Sequence, residues 1–490
     1  MATKTYLNFI DGEWAKSDSE ETFADINPAN FREVIGFFQA STLSDLERAI
    51  VSAATAFEKW RFSSLSEREE IFRKAIVLLE QRKEKLALEL TREEGKTLQE
   101  SHKEILSAIN EMRFQVGQAR RFLSEPGTSG RRDIVCYSVR QPLGVVSIIT
   151  PWNFPVNVPC RKITPALMAG NTVVFKPASF TPLSGLMLVE ILIEAGIPKG
   201  VLNFITGKGS EIGDRMVTHP LIKAVSFTGS TEVGMKICQQ APLHMAKVQL
   251  EMGGKNPMVV LEDADLELAV KDAISAGYAC SGQWCTSTSR LILHREIAEQ
   301  FLDLLVDEVR KIKVGDGLDP KTTMGPVAGE EQLKKITSYI ELGKKEGAKL
   351  IFGGKRLTGY RYDRGFFIEP AIFTQVKPEM KIAQEEIFGP VLSVMAVDSF
   401  NEALKVANAV KHGLSSSIYT RDLVRAMEFV NKSEVGLTHI NLPTSFKEPQ
   451  LPFGGIKLSG YGIPEAGRSG IEFFTENKSI YINPGSENTE

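Results

Sequence analysis

The chain has 490 residues, 42% hydrophobic and 24% charged, with 58 Lys and Arg against 61 Asp and Glu for a net charge of -3. At about 150 residues per domain this length predicts more than one domain and excludes a single small module. The near-balanced charge excludes nucleic acid as a partner, and no apolar run reaches the ~18 to 20 residues of a membrane span.

The start of the chain carries Lys4, Asp11 and Glu13 and lacks the basic and apolar regions of an export signal. The cysteines, Cys136, Cys160, Cys238, Cys280 and Cys285, are odd in number and scattered, a pattern of reducing compartments. A cytoplasmic protein is expected.

From Ser44 the residues Leu46, Ala49, Ile50, Ala53, Phe57 and Trp60 recur at helical spacing, with Ser44 and Glu47 as a capping box. A second helix is predicted from near Ser66, capped by Glu69 and running through Ile71, Ala75, Leu78 and Leu79 toward Gly95, so that helices open the chain. The apolar runs 144–150, 172–175, 201–205 and 224–227 then alternate with helical segments. They read as buried parallel strands of a doubly wound α/β sheet, for which nucleotide binding is the default expectation. A second α/β alternation follows, with strands at 257–261 and 290–293, a helix at 266–278 and a long helix through Leu302, Leu305 and Val309. The polar end, Pro484 to Glu490, is expected to fray.

Candidate chemistry begins at Cys285, in Ser281-Gly282-Gln283-Trp284-Cys285-Thr286, where a glycine lets the backbone approach a ligand. Its alternative is a buried, inert cysteine, because a free thiol needs a base or a positive environment to act as a nucleophile. Glu251, in Glu251-Met252-Gly253-Gly254-Lys255, is the candidate base; otherwise it is a surface carboxylate. Asn153, in Thr150-Pro151-Trp152-Asn153-Phe154-Pro155, is a fixed amide at the carboxyl edge of a strand, or else an ordinary turn residue. Lys176 and the segment Phe227-Thr228-Gly229-Ser230 each follow a strand, as dinucleotide-binding residues do. The six histidines show no zinc spacing, and Glu262-Asp263-Ala264-Asp265 lacks the rest of a calcium loop and reads as acids at a helix N-terminus. No metal is expected, and Cys280, five residues before Cys285, is assigned to packing, the alternative being a redox partner of Cys285.

Together these blocks resemble the aldehyde dehydrogenase family along essentially the whole chain: PWNFP at Asn153, KPAS at Lys176, FTGST at Gly229, EMGGK at Glu251, GQWC at Cys285, QEEIFGP at Glu386 and PFGGIKLSG at Phe453. The resemblance implies Cys285 as nucleophile, Glu251 as general base, and Asn153 with the Cys285 backbone N–H as oxyanion hole. It places the cofactor against Thr150, Pro151, Trp152, Lys176, Ala178, Ser179, Gly209, Gly213, Phe227, Gly229, Ser230, Glu386 and Phe388, with Lys176 on the adenosine ribose and Glu386 on the nicotinamide ribose. Phe154, Trp284, Phe453 and Arg161 are then expected to face the substrate. The implied fold has a Rossmann-like cofactor domain at 1–120 and 142–253, an α/β catalytic domain at 254–453, and a small β oligomerisation element at 121–141 and 454–490. A homodimer or homotetramer is expected, with residues 134–140 and 479–482 forming strands.

Ser179 stands where NAD-preferring relatives often carry a Glu that repels a 2′-phosphate, so NADP is expected to be accepted and preferred, with NAD usable. Arg161 stands where succinate-semialdehyde-type relatives hold a substrate carboxylate, the alternative being a solvated helix charge. The segment from Thr438 to Gly462 is most similar to that of 2-oxoglutarate semialdehyde (2,5-dioxopentanoate) dehydrogenases. It departs from many relatives at Ile440, where they have Trp, and at Ile463-Pro464-Glu465, where an Arg-Glu pair is common. The expected substrate is therefore 2-oxoglutarate semialdehyde. Alternatives are succinate semialdehyde, a broad range of aliphatic aldehydes, or, in other classes, a nucleotide-independent thiol hydrolase and a non-catalytic relative.

Overall fold

The first two long helices both begin earlier than the sequence predicts. In the computed structural model, which describes residues 3–122 and 124–485, the first long helix is Leu43–Trp60 and its cap is Thr42. The Thr42 hydroxyl accepts from the Asp45 N–H while the Asp45 carboxylate accepts from the Thr42 N–H. The second, Leu65–Glu94, is capped in the same way by Ser64 and Glu67 and ends at Gly95, which is left-handed at φ 97°. In each case two overlapping capping frames compete, and the earlier one wins because it adds helical turn without losing a cap. The buried Asp45 is further fixed by a 2.7 Å bond from Ser17 Oγ.

Helices do not open the chain. Strands Asn8–Ile10, Glu13–Ala15, Thr22–Ile26 and Val34–Gln39 precede them, each too short for alternation to stand out. The first two extend the edge of an eight-stranded sheet, and the other two pair with each other.

The core of that sheet is parallel, in the order Leu202–Phe204, Thr172–Lys176, Val145–Ile149, Ile222–Thr228, Lys247–Glu251. Val146 and Ile148 face one apolar core and Val145 the opposite one, which is why the strand reads as a continuous apolar run. A seven-stranded sheet follows the same logic around Asn256–Val260, Thr288–His294, Val391–Val397 and Ser415–Tyr419, all parallel. The predicted helix at 266–278 is Leu266–Tyr278, with Asp265 as its cap, and the next is Arg295–Val309.

In a third, small sheet Val135–Pro142 lies between Thr475–Ile482 and Ser124–Gly127, so the strands expected at 134–140 and 479–482 pair with each other within the chain. The fraying expected at Pro484 to Glu490 falls, from residue 486 on, outside the described residues.

Two features position the site. Strand order reverses on either side of Val145–Ile149, opening a crevice between its carboxyl end and that of Ile222–Thr228. The chain then leaves Glu251, at the carboxyl end of Lys247–Glu251, and turns through Gly253 and Gly254 into the amino end of Asn256–Val260. The carboxyl edge of the first sheet therefore faces the amino edge of the second.

Candidate active site

Asn153 lies just beyond the end of strand Val145–Ile149, buried, with its Nδ2 donating to the Gln283 carbonyl at 2.9 Å. Its own carbonyl accepts from Lys96 Nζ at 2.6 Å, and the same ammonium donates to Glu104 at 2.6 Å. Burial works against the charge on Lys96, but Glu104 and Glu94 outweigh it and hold the group protonated. Glu104 also accepts from the N–H groups of Val156 and Asn157, at the start of helix Asn157–Met168, which has no side-chain cap of its own. The asparagine is thus held from both sides, with one of its two amide N–H groups on the Gln283 carbonyl and the other left to donate elsewhere.

Cys285 is presented by a strained turn. Cys280, Ser281 and Gly282 are consecutively left-handed, at φ 50°, 56° and 69°. The conformation is held by Glu100, which accepts from the Cys280 N–H at 2.7 Å, and by Ser281 Oγ donating to the Gly325 carbonyl at 2.8 Å. A side chain on Gly282 would strike the Gly389 carbonyl at 2.3 Å, so the turn requires glycine there. Asn256 Nδ2 clamps the other side by donating to the carbonyls of Cys285 and Ser287, at 2.8 and 2.9 Å.

The partly exposed Cys285 lines one cleft with Glu251, which is buried at the end of its strand. Burial first, then the charges of Glu251 and Glu386, push the thiol well above its ordinary range, with Arg161 opposing them. Burial, and next the charge of Glu465, raise the Glu251 carboxyl, with Lys162 and Arg161 pulling the other way. In the free protein Cys285 is therefore held as a thiol rather than a standing thiolate, beside an acid that takes its proton only when ionised.

Beside them, Pro151, Trp152, Gly229, Ser230, Glu386 and Phe388 line one cleft with Cys285 and Asn153. Ser230 caps helix Thr231–Gln240, whose N-terminus opens onto the crevice. Phe388 is left-handed at φ 60°, a costly conformation for an aromatic residue, and meets Trp152 edge-on at 5.3 Å. Glu386 accepts from the Gly254 N–H at 2.9 Å, and a Cβ on Gly253 would lie 2.3 Å from its carboxylate. These residues fit a dinucleotide: a helix N-terminus at a switch point, a glycine floor and a carboxylate for a ribose hydroxyl.

The remaining cofactor candidates sit apart from this cleft. Thr150 is buried and donates its N–H to the Lys176 carbonyl. Lys176 Nζ donates to the Pro177 carbonyl at 2.9 Å, its pKa lowered by burial to about 8. Ala178 and Ser179 follow, and Ser179 Oγ donates to the Gly207 carbonyl at 3.1 Å, two residues before Gly209 opens the helix that also carries Gly213. Phe227 is buried beneath Gly229, where it would meet any added Cβ.

Arg161 is not a solvated helix charge: it is 4% exposed and lines the cleft. It approaches Glu111 at 3.3 Å and Glu465 at 3.5 Å and lies over the Phe453 ring at 4.4 Å. Phe154 and Trp284 pack on each other at 4.9 Å and line the same space. The sequence reading missed Lys96, Glu104, Glu111, Glu465 and Lys447. Glu465 stands in the segment noted as a departure; it accepts from Lys162 and Thr228 and forms a two-way backbone bridge with Phe453. Nothing local marks the other four, which meet the site only through the fold.

Residues 14–480 match the profile of the Aldehyde dehydrogenase family. The chain is 44% identical to the alpha-ketoglutaric semialdehyde dehydrogenase of Bacillus subtilis (strain 168), over 98% of each chain. It is 43% identical to the 2,5-dioxopentanoate dehydrogenase of Saccharolobus solfataricus, over 98% of this chain and 99% of that one. Among solved structures, betaine aldehyde dehydrogenase from Staphylococcus aureus in complex with NAD+ superposes with a TM-score of 0.95 at 38% identity, covering 99% of this chain and 96% of that one. The chain belongs to the aldehyde dehydrogenase family. It is an NAD(P)-dependent enzyme that oxidises an aldehyde, and full-length membership does not favour the hydrolase or non-catalytic alternatives.

Proposed function

We propose that the enzyme oxidises 2-oxoglutarate semialdehyde to 2-oxoglutarate. The observation that carries this reading is the convergence of two cations, Arg161 and Lys447, on the Phe453 ring in the cavity that holds Cys285. A fixed positive end suits an aldehyde with a carboxylate at its far end. The names of the two relatives above support the same choice.

In the proposed chemistry Cys285 passes its proton to the ionised Glu251 carboxylate as its sulfur attacks the aldehyde carbon, forming a thiohemiacetal. The Asn153 amide and the Cys285 N–H donate to the resulting oxyanion. Bound NAD(P)+ supplies the hydride acceptor. Loss of hydride from the thiohemiacetal leaves a thioester on Cys285. After giving the Cys285 proton up to solvent, the Glu251 carboxylate takes a proton from the water that attacks the thioester and returns it to the sulfur as the acid leaves.

NADP is the proposed preferred cofactor, with NAD also used, because Ser179 places no carboxylate beside Lys176 to repel a 2′-phosphate. The domain division expected from the sequence is kept, supported by the two large sheets and the small third one. Assembly as a dimer or tetramer would use the small sheet, whose outer strands Thr475–Ile482 and Ser124–Gly127 are mostly exposed edges. Cytoplasmic residence is supported by five unpaired cysteines. No helix among the described residues is long and apolar enough to cross a membrane.

Initial rates of NADP reduction with 2-oxoglutarate semialdehyde, succinate semialdehyde and an uncharged aldehyde of similar length test the reading. It requires the first to have the highest kcat/KM. A higher value for the uncharged aldehyde overturns the acidic substrate, and a large NAD preference overturns the cofactor choice.

A further inference from the structure

The two cations at the Phe453 ring differ in how they are held. Arg161 is wedged between Glu111 and Glu465, and Glu465 also takes Lys162, so this guanidinium is already neutralised inside a buried network. Lys447 has no carboxylate within ion-pair distance among the described residues. Its Nζ lies 6.0 Å from the Phe453 ring, and its charge acts on the same space as the Cys285 sulfur.

Lys447 also stands at a boundary between two spaces. One is the cleft with Cys285, Glu251 and Glu386. The other is a cavity of about 830 Å³ on the side of Glu100, Lys103 and Cys280. Phe154, Asn157, Trp284 and Lys447 line both, so these four side chains stand between the two spaces. The chain around it is tied to the nucleophile's own turn. Thr444 Oγ1 donates to the Thr286 carbonyl at 2.7 Å, Ser415 Oγ donates to the Thr444 carbonyl at 2.7 Å, and His439 Nε2 meets the Phe446 carbonyl at 2.9 Å.

We propose that Lys447 is the residue that binds the carboxylate of the acidic aldehyde, at the neck between the two cavities, while Arg161 positions Phe453 and serves as wall. This rests on the acidic-substrate reading above. A half-buried ammonium with no carboxylate within ion-pair distance among the described residues gains most from an incoming anion, whereas Arg161 would have to share its two existing acids. Burial, and then the nearby charge of Arg161, lower Lys447 to about 8, and an anion at this point relieves both.

The test compares wild type, Lys447→Met and Lys447→Arg with 2-oxoglutarate semialdehyde and an uncharged aldehyde of the same length. The ratio of kcat/KM for the acidic over the uncharged substrate is expected to fall roughly 10- to 100-fold in Lys447→Met, as for loss of one charge-assisted hydrogen bond. The loss should sit in KM rather than kcat, and Lys447→Arg should recover most of the ratio. In addition, 2-oxoglutarate should protect Cys285 from iodoacetamide in wild type and lose that protection in Lys447→Met. If wild type prefers the acidic aldehyde and Lys447→Met leaves both ratio and protection unchanged, the Lys447 assignment is overturned and the substrate class survives. If wild type prefers the uncharged aldehyde, the substrate class itself has failed and this assignment goes with it.

Discussion

The ammonium of Lys96 donates to the main-chain carbonyl of Asn153 at 2.6 Å, so a lysine 57 positions earlier in the chain fixes the backbone of an asparagine that shares a cleft with Cys285. The same Lys96 Nζ lies 4.2 Å from the Phe154 ring and bonds Glu104, whose other oxygen serves the start of the helix that carries Arg161. One buried cation therefore links Asn153, the Phe154 ring and a helix terminus.

Lys96→Met should uncover Glu104 and Glu94 in a site that water does not reach. Breaking a buried ion pair from one side costs about 3–5 kcal/mol. Urea unfolding should show a loss of that order, and kcat should fall in the protein that remains folded. Unchanged stability would mean that the two acids take up protons at little cost and that Lys96 is not the clamp.

Asn153→Ala removes the side-chain donor while leaving the main-chain bond to Lys96 in place. The expected loss in the rate of NADP reduction is roughly 10²- to 10³-fold, or about 3 to 4 kcal/mol, the effect of deleting one oxyanion donor. Single-turnover rates measured beside a thermal melt separate this from misfolding. Near-normal turnover would remove Asn153 from the oxyanion site.

Gly253→Ala should weaken nucleotide binding without unfolding the chain. The added Cβ would lie 2.3 Å from Glu386 Oε2, forcing the carboxylate away from its place beside the Gly254 N–H. Calorimetric titration with NADP should give a raised Kd. An unchanged Kd would show that the Glu386 carboxylate contributes nothing to cofactor affinity.

The pH dependence of Cys285 has a definite sign. Its raised pKa means that the thiolate is scarce at neutral pH and grows as pH rises, so alkylation by iodoacetamide should keep accelerating beyond the ordinary thiol pKa of about 8.5. Glu251→Gln deletes a negative charge that holds the thiol up and should move the inflection to lower pH, even as kcat falls through loss of the base. An inflection that stays put would show that Glu251 does not set the thiol's ionisation.

The amino-acid sequence by itself determined the family, the parallel strands and the chemically distinctive residues. Their signals are local: apolar runs at 145–149 and 172–176, glycines fixed by turns at 253, 254 and 282, and compact blocks around Asn153, Glu251, Cys285 and Glu386. It missed the opening strands because three to six residues carry too little alternation, and it misplaced two caps because overlapping Ser/Thr-x-x-Asp/Glu frames differ only in the helical turn they gain. Tertiary structure alone decided which charges face one another. Arg161 reads as a free guanidinium in sequence, yet Glu111 and Glu465, 50 and 304 positions away, meet it only after folding. Lys96 and Lys447 carry no local mark, because the worth of a lysine lies in whether burial brings it a counter-ion, and burial is a property of the packed chain.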